Sequence, residues 1–182
     1  MRMTSKAACG IACGGILLLC GALGVTLFAA TAQTSQEQSV DGGFVADASS
    51  AGMTEVKLGQ LAEQKGWNSA VKDFGKKMEA DHSKAGDELK DAADRNNITL
   101  PNDMNYANRA EFDKLSALSG KEFDKAYATQ MVQDHESAVA LFKKESSQGS
   151  NKDLKEFATK TLPTLEGHLQ MARQMEQTVE NE

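Results

Sequence analysis

The sequence predicts an all-α protein, a four-helix bundle with a long connection between its second and third long helices. Three observations point there. Apolar residues recur with a 3.6-residue period along four long stretches, no run of alternating residues reads as a strand, and the breaks between stretches carry helix-capping residues.

Residues 1–32 read as an export signal. Arg2 and Lys6 form a short positive start, and a charge-free stretch runs from Ala7 to Ser35 with its most apolar part between Ile11 and Phe28. Ala30-Thr31-Ala32 suits cleavage before Gln33. Retention as an N-terminal membrane anchor is the alternative, because the apolar part approaches the ~20 residues of a spanning helix. Either outcome delivers the rest of the chain to the periplasm or another extracytoplasmic space. Leu19, just before Cys20, is too bulky for a lipoprotein signal. Cys9, Cys13 and Cys20 all lie in the segment, so the remainder has no disulfide, thiolate ligand or cysteine nucleophile. Losing Arg2 and Lys6 from 20 basic against 26 acidic side chains takes the net charge from −6 to −8. That balance argues against nucleic acid or an anionic membrane surface as a partner.

Residues 33–42 are polar and pattern-free, a flexible linker before a bundle domain spanning 43–178. The first long helix is expected from about Gly43 to Lys65, with Gly66 ending it in a left-handed conformation and Trp67 plugging the bundle end. Asn68 caps a second helix from about Ser69 to Arg95. Asn96-Asn97 and Leu100-Pro101-Asn102 break the pattern, and a short helical piece, Ala110 to Leu118, interrupts the connection. That connection is long enough to cross the bundle or to loop out locally. Ser119 and Glu122 have capping-box spacing and open the third long helix, which runs to about Ser146. Gly149-Ser150-Asn151 ends it and caps the fourth, which continues to about Thr178 through an internal Pro163 expected to kink it just before His168.

Each apolar stripe carries one ionisable residue where a core side chain belongs. The first reads Phe44, Ala48, Ala51, Glu55, Leu58, Ala62, and the second Val71, Phe74, Met78, His82, Ala85, Leu89. The third reads Phe123, Tyr127, Met131, His135, Ala138, Phe142, and the fourth Leu154, Phe157, Thr161, Leu165, His168, Ala172. These are all 3 histidines of the chain. Glu55 lies 11 residues before Gly66 and His82 lies 16 after it, while His135 and His168 lie 14 before and 19 after Gly149. At ~1.5 Å per residue each pair is level to within about 8 Å, near mid-bundle.

Neutral imidazoles and a carboxylate make a ligand set for zinc, copper, iron or manganese, so Glu55, His82, His135 and His168 are the candidate metal ligands. Asp81, Asp134, Glu166 and Tyr127 are candidates to orient them, and Glu79-x-x-His82 has the spacing used in di-iron bundles. Met78, Met131 and Met171 lie about one turn from histidines, where methionine is ordinarily core filler. The competing reading is a metal-free polar network that fixes helix register. No nucleophile stands at recognisable spacing, so no catalytic residue is assigned, and metal-dependent redox activity is a third reading.

The order Phe44-Val45, Glu55-Val-Lys-Leu-Gly, Asp81-His82, Leu118-Ser-Gly, Phe123-Asp-x-x-Tyr127, His135, Leu162-Pro163 and His168-Leu169 resembles the bacterial domain of unknown function 4142. The resemblance covers about residues 43–176. It implies a ferritin-like bundle and export, and implies no activity. Val132 and Leu165 stand where a second Glu-x-x-His motif of a di-iron enzyme would place glutamates, so a mononuclear site is the expectation.

Overall fold

A computed structural model describes residues 26–181. Residues 1–25, which hold most of the expected export signal and all three cysteines, lie outside the described part. The helices are α1 Thr26–Lys65, α2 Ser69–Arg95, α3 Tyr106–Ser116, α4 Gly120–Gln148 and α5 Lys152–Glu180. The described residues contain no strand, and no helix among them is long and apolar enough to cross a membrane. α1 begins well before Gly43, so the stretch read as a flexible linker is helical. It has no proline, and neither Gly42 nor Gly43 takes a positive φ, so nothing in the backbone ends the helix there.

Hairpins α1–α2 and α4–α5 pack so that α1 meets α4 and α2 meets α5. Hydrogen bonds at the ends decide the path of the connection. At one end, Asn96 of the α2 terminus donates to Asp153 of α5 (2.7 Å), and Asp41 of α1 accepts from the backbone N–H groups of Ser150 and Asn151 (both 3.0 Å). Ser49 Oγ then bonds the Pro101 carbonyl, and Asn105 N–H donates to Ser50 Oγ (2.8 Å), laying the chain along α1. At the other end Lys65 donates to the carbonyls of Ser116 and Leu118. The connection therefore crosses the length of the bundle, with α3 on its way.

Local chemistry sets the turns. Asn68 accepts from Ala70 N–H (2.7 Å), and Asn151 accepts from Asp153 and Leu154 N–H (3.0 and 3.1 Å). The buried Asp124 of α4 accepts from Trp67 and Asn68 N–H (2.9 and 2.7 Å), clamping the α1–α2 turn from outside it. With its backbone held this way the Trp67 ring faces solvent, 68% exposed, and plugs nothing. Gly66 is not left-handed; what it supplies is space, since a Cβ there would lie 2.7 Å from the Ala62 carbonyl oxygen. The Ser119 side chain makes no cap bond, because the positive φ of Gly120 (60°) starts α4 differently from a capping box. α5 runs unbroken through the exposed Pro163.

The core falls into two apolar clusters. One surrounds Leu58, Phe74, Met78, Phe123, Tyr127 and Met131, and the other Phe44, Leu89, Phe142, Leu154, Phe157 and Leu165. Met78 and Met131 are fully buried in the first, with Met171 packed beside them, as core filler. On their helices Glu55, His82, His135 and His168 each fall between the buried members of the two clusters. α1 and α2 approach closely at Gly59 and Gly75, where a Cβ on Gly59 would sit 2.5 Å from the Gly75 carbonyl oxygen. That contact lies one turn from Glu55 and two from His82, so it sets the spacing of the polar layer.

Two outcomes follow. Gly75→Ala would put a Cβ 2.7 Å from Ala62 Cβ and from the Gly59 oxygen, so it is expected to lower stability by about 1–3 kcal/mol in urea titrations. Gly86→Ala, with nothing within 4 Å, should instead raise it by about 0.5–1 kcal/mol. Separately, burial and the facing Asp41 carboxylate push Glu145, which is 0% exposed, up to about 7. Between pH ~4.5 and 7 the folded state keeps a proton that the unfolded chain loses, so stability falls as pH rises through this window. The gain from Glu145→Gln should grow with pH across it, measured as the difference in melting temperature from wild type.

Candidate metal centre

α2, α4 and α5 each contribute one imidazole to a triangle at mid-bundle. His82, His135 and His168 offer nitrogens that all lie within 4.8 Å of one another. The ring centroids are 5.7 Å (His82–His135), 5.5 Å (His82–His168) and 5.4 Å (His135–His168) apart. Metal–nitrogen bonds of about 2.0–2.1 Å, plus roughly 1.2 Å from nitrogen to ring centre, put centroids about 5.2–5.6 Å apart for three imidazoles on one ion. The ring centres are close to that separation, and the nitrogens, within 4.8 Å of one another, would draw in to the roughly 3.3–3.6 Å that such bonds to one ion require.

Hydrogen bonding fixes which nitrogens face inward. His135 Nδ1 lies 2.9 Å from the Met131 carbonyl oxygen, and His168 Nε2 lies 2.7 Å from Asp81 Oδ2. Both partners only accept, so each of these nitrogens carries the proton and the other holds a lone pair. The nitrogens left without a partner are His82 Nε2, His135 Nε2 and His168 Nδ1. His135 Nε2 and His168 Nδ1 are therefore buried acceptors with nothing to accept from, and a buried polar nitrogen left unpaired costs about 1–3 kcal/mol. Asp81 behind His168 is the carboxylate–histidine arrangement that orients a ligand and raises its basicity.

The electrostatics keep the ligands deprotonated. Burial, and then the neighbouring imidazoles, hold His82 down to about 3. Burial holds His135 down to about 4 against the opposing pull of the Met131 carbonyl, and it lowers His168 against the pull of Asp81. Desolvation raises Asp81, but hydrogen bonds from Lys77 and His168 outweigh it and leave the carboxyl below its usual range. A cavity of about 1000 Å³ reaches all three histidines and is walled by apolar side chains such as Leu89, Leu141 and Phe157.

The four residues expected from the sequence do not all meet. Glu55 is buried at mid-bundle, but it stands outside the triangle, with Oε1 3.9 Å from the already bonded Nδ1 of His135. Of the residues expected to orient ligands, Asp81 does so, whereas Glu166 pairs with Lys143 on the surface (2.8 Å). Glu79 accepts from Gln60 at an exposed position, so the Glu79-x-x-His82 spacing does not bring both side chains inward. Glu111 of α3 had no sequence signal at all. It lies beside Asp134, and burial and that neighbour push it up to about 8.

A family model described as Domain of unknown function (DUF4142) matches residues 26–175. The chain belongs to this family. The histidine triangle, Asp81 and Glu55 all lie within the matched DUF4142 region. Among solved structures, the DUF4142 chain is similar to a DUF305 fragment from Deinococcus radiodurans, with 14% identity and a TM-score of 0.65. The match covers 79% of this chain and 97% of that one. At such identity the likeness concerns the fold alone, a ferritin-like helical bundle. No curated protein matches the chain.

The buried imidazoles make the DUF4142 bundle acid-sensitive in a definable window. Their folded pKa values lie below the unfolded ~6.5, so the stability they confer as neutral groups is lost as pH falls from ~6.5 toward 3–4. His82→Gln should flatten this loss, seen as a smaller drop in urea midpoint between pH 6.5 and 4.5 than wild type shows.

Proposed function

We propose that this exported ferritin-like bundle binds one transition or zinc-like metal ion through His82, His135 and His168. The observation that carries the reading is the convergence of three buried imidazole nitrogens, each without a hydrogen-bond partner, on rings whose centres lie 5.4, 5.5 and 5.7 Å apart, close to the spacing of a shared ion. Three neutral nitrogen donors suit zinc, copper, iron or manganese, and they leave a coordination position open toward the cavity. Asp81 orients His168, the Met131 carbonyl orients His135, and Glu55 contributes a nearby carboxylate behind His135. Residence outside the cytoplasm rests on the charge and cleavage pattern of residues 1–32.

A metal-free structural or stress-related interaction module is the second reading. It is favoured by the Asp81–His168 and Met131–His135 bonds, which already hold two rings in place. The inward nitrogens weigh against it, because a network built for structure alone would pair them.

Purified protein freed of metal should take up one equivalent of a metal that raises its melting temperature, and His135→Ala should take up none. Asp81→Asn should keep the stoichiometry but weaken affinity by about 10- to 100-fold. Absence of stoichiometric uptake, with an unchanged melting temperature after adding zinc, copper, iron or manganese, would select the metal-free module.

A further inference from the structure

The polar layer is packed differently on its two sides. Toward the α1–α2 turn, the residues one turn from Glu55, His82 and His135 are Leu58, Met78 and Met131, all fully buried. In the opposite direction they are Ala51, Ala85 and Ala138, each only partly buried. Gly52 adjoins Ala51, and a Cβ on it would meet nothing within 4 Å. The cavity of about 1000 Å³ occupies the volume these small residues leave, since Ala51, Gly52, Ala85 and Ala138 line it together with the three histidines. Protein interiors are otherwise close-packed, so three alanines at one level beside the histidines build a chamber.

The rest of the chamber has two kinds of wall. Leu89, Phe142, Phe157 and Leu165 of the second core cluster form an apolar side, with the Phe142 and Phe157 rings 5.7 Å apart. From His168 to Phe157 along α5 is about 16 Å at ~1.5 Å per residue. The exposed Asp47, Asp87, Lys90 and Asp94 also line the space and mark its mouth, where Lys90 pairs with Asp94 and the balance stays acidic.

We propose that this chamber binds an apolar monocarboxylate of the medium-chain fatty-acid type, whose head takes the open coordination position of the metal. The proposal rests on the metal-binding reading of the histidine triangle. Three neutral imidazoles leave the charge of a divalent ion uncompensated, and Glu55 stands outside the triangle behind His135, so the open position favours an anionic donor. The carbon chain lies along Leu89, Phe142 and Phe157, which withdraws it from water. A second carboxylate at its far end would stand among the acidic side chains of the mouth, which selects ligands with one charged head. Those mouth charges are exposed and screened, so they do not outweigh the ion at the inner end.

The test loads the full chain with cobalt(II), whose visible absorption reports its coordination shell, and adds octanoate. Octanoate should bind saturably, shift that absorption and raise the melting temperature. Acetate, with the same head and no chain, should bind on the order of 10-fold more weakly or worse. Suberate, with a carboxylate at each end, should fall behind octanoate by about 10-fold. Ala85→Leu places side-chain atoms in the chamber and should weaken octanoate on the order of 10-fold while cobalt uptake stays at one equivalent. Ala138→Leu replaces it should that variant not fold, and if neither folds the comparison of octanoate with acetate decides. Bound cobalt whose spectrum octanoate leaves unchanged overturns this proposal and spares the metal site, whereas no cobalt uptake overturns both. Acetate binding as tightly as octanoate, or octanoate binding undiminished to a folded Ala85→Leu, puts the ligand outside the chamber and overturns the proposal equally.

Discussion

The constraint on which the rest of this bundle depends is the withdrawal from water of three imidazoles, His135 and His168 fully buried and His82 partly, that face one another across its middle. A helical bundle gains stability by joining its apolar stripes into one core, and here the stripes are interrupted at one level. An imidazole buried there is tolerable only when neutral, so desolvation drives the histidines below their ordinary pKa. Two of the rings are then locked by acceptor-only partners, the Met131 carbonyl and the Asp81 carboxylate. Locking one nitrogen turns the other inward. The triangle is thus a product of its outer hydrogen bonds as much as of the helices that carry it.

The scaffold around that layer is built for position. Gly59 and Gly75 let α1 and α2 approach until backbone meets backbone, which sets how far α1 reaches toward the centre. Asp124 reaches from α4 to cap the α1–α2 turn, fixing the height of one hairpin against the other. The crossover lays α3 along α1 and brings Glu111 to Asp134. A connection looped out locally would have left the carboxylates of α1 and α4 without this third neighbour.

Burial separates two kinds of chemistry within a short distance. Around His135 stand inward-facing imidazole nitrogens without partners and carboxyls whose burial raises them, Glu55 most plainly. Like charges in one desolvated space hold protons, while imidazoles in the same conditions shed them. Opposite responses to one cause, loss of water, set the imidazoles apart from the carboxyls near them.

The sequence by itself determined the helices, the turns at Asn68 and Asn151, and the presence of three inward histidines at one level, because periodicity and capping are local properties of the chain. It also marked Asp81 as the residue beside His82 able to orient a ligand, though not which ring it would serve. Tertiary structure decided the rest. The path of the connection was open because its length permits either route, and only the bonds of Pro101, Asn105 and Ser116 to α1 select the crossover. Glu55 lay on the right face at the right height, yet axial spacing says nothing of where a side chain ends, and its carboxylate stops on the far side of His135. Glu111 was invisible because a short helix in a long connection has no stripe long enough to define its inner face. Which polar groups meet depends on helix rotation and approach, and those are set by contacts between segments far apart in the chain.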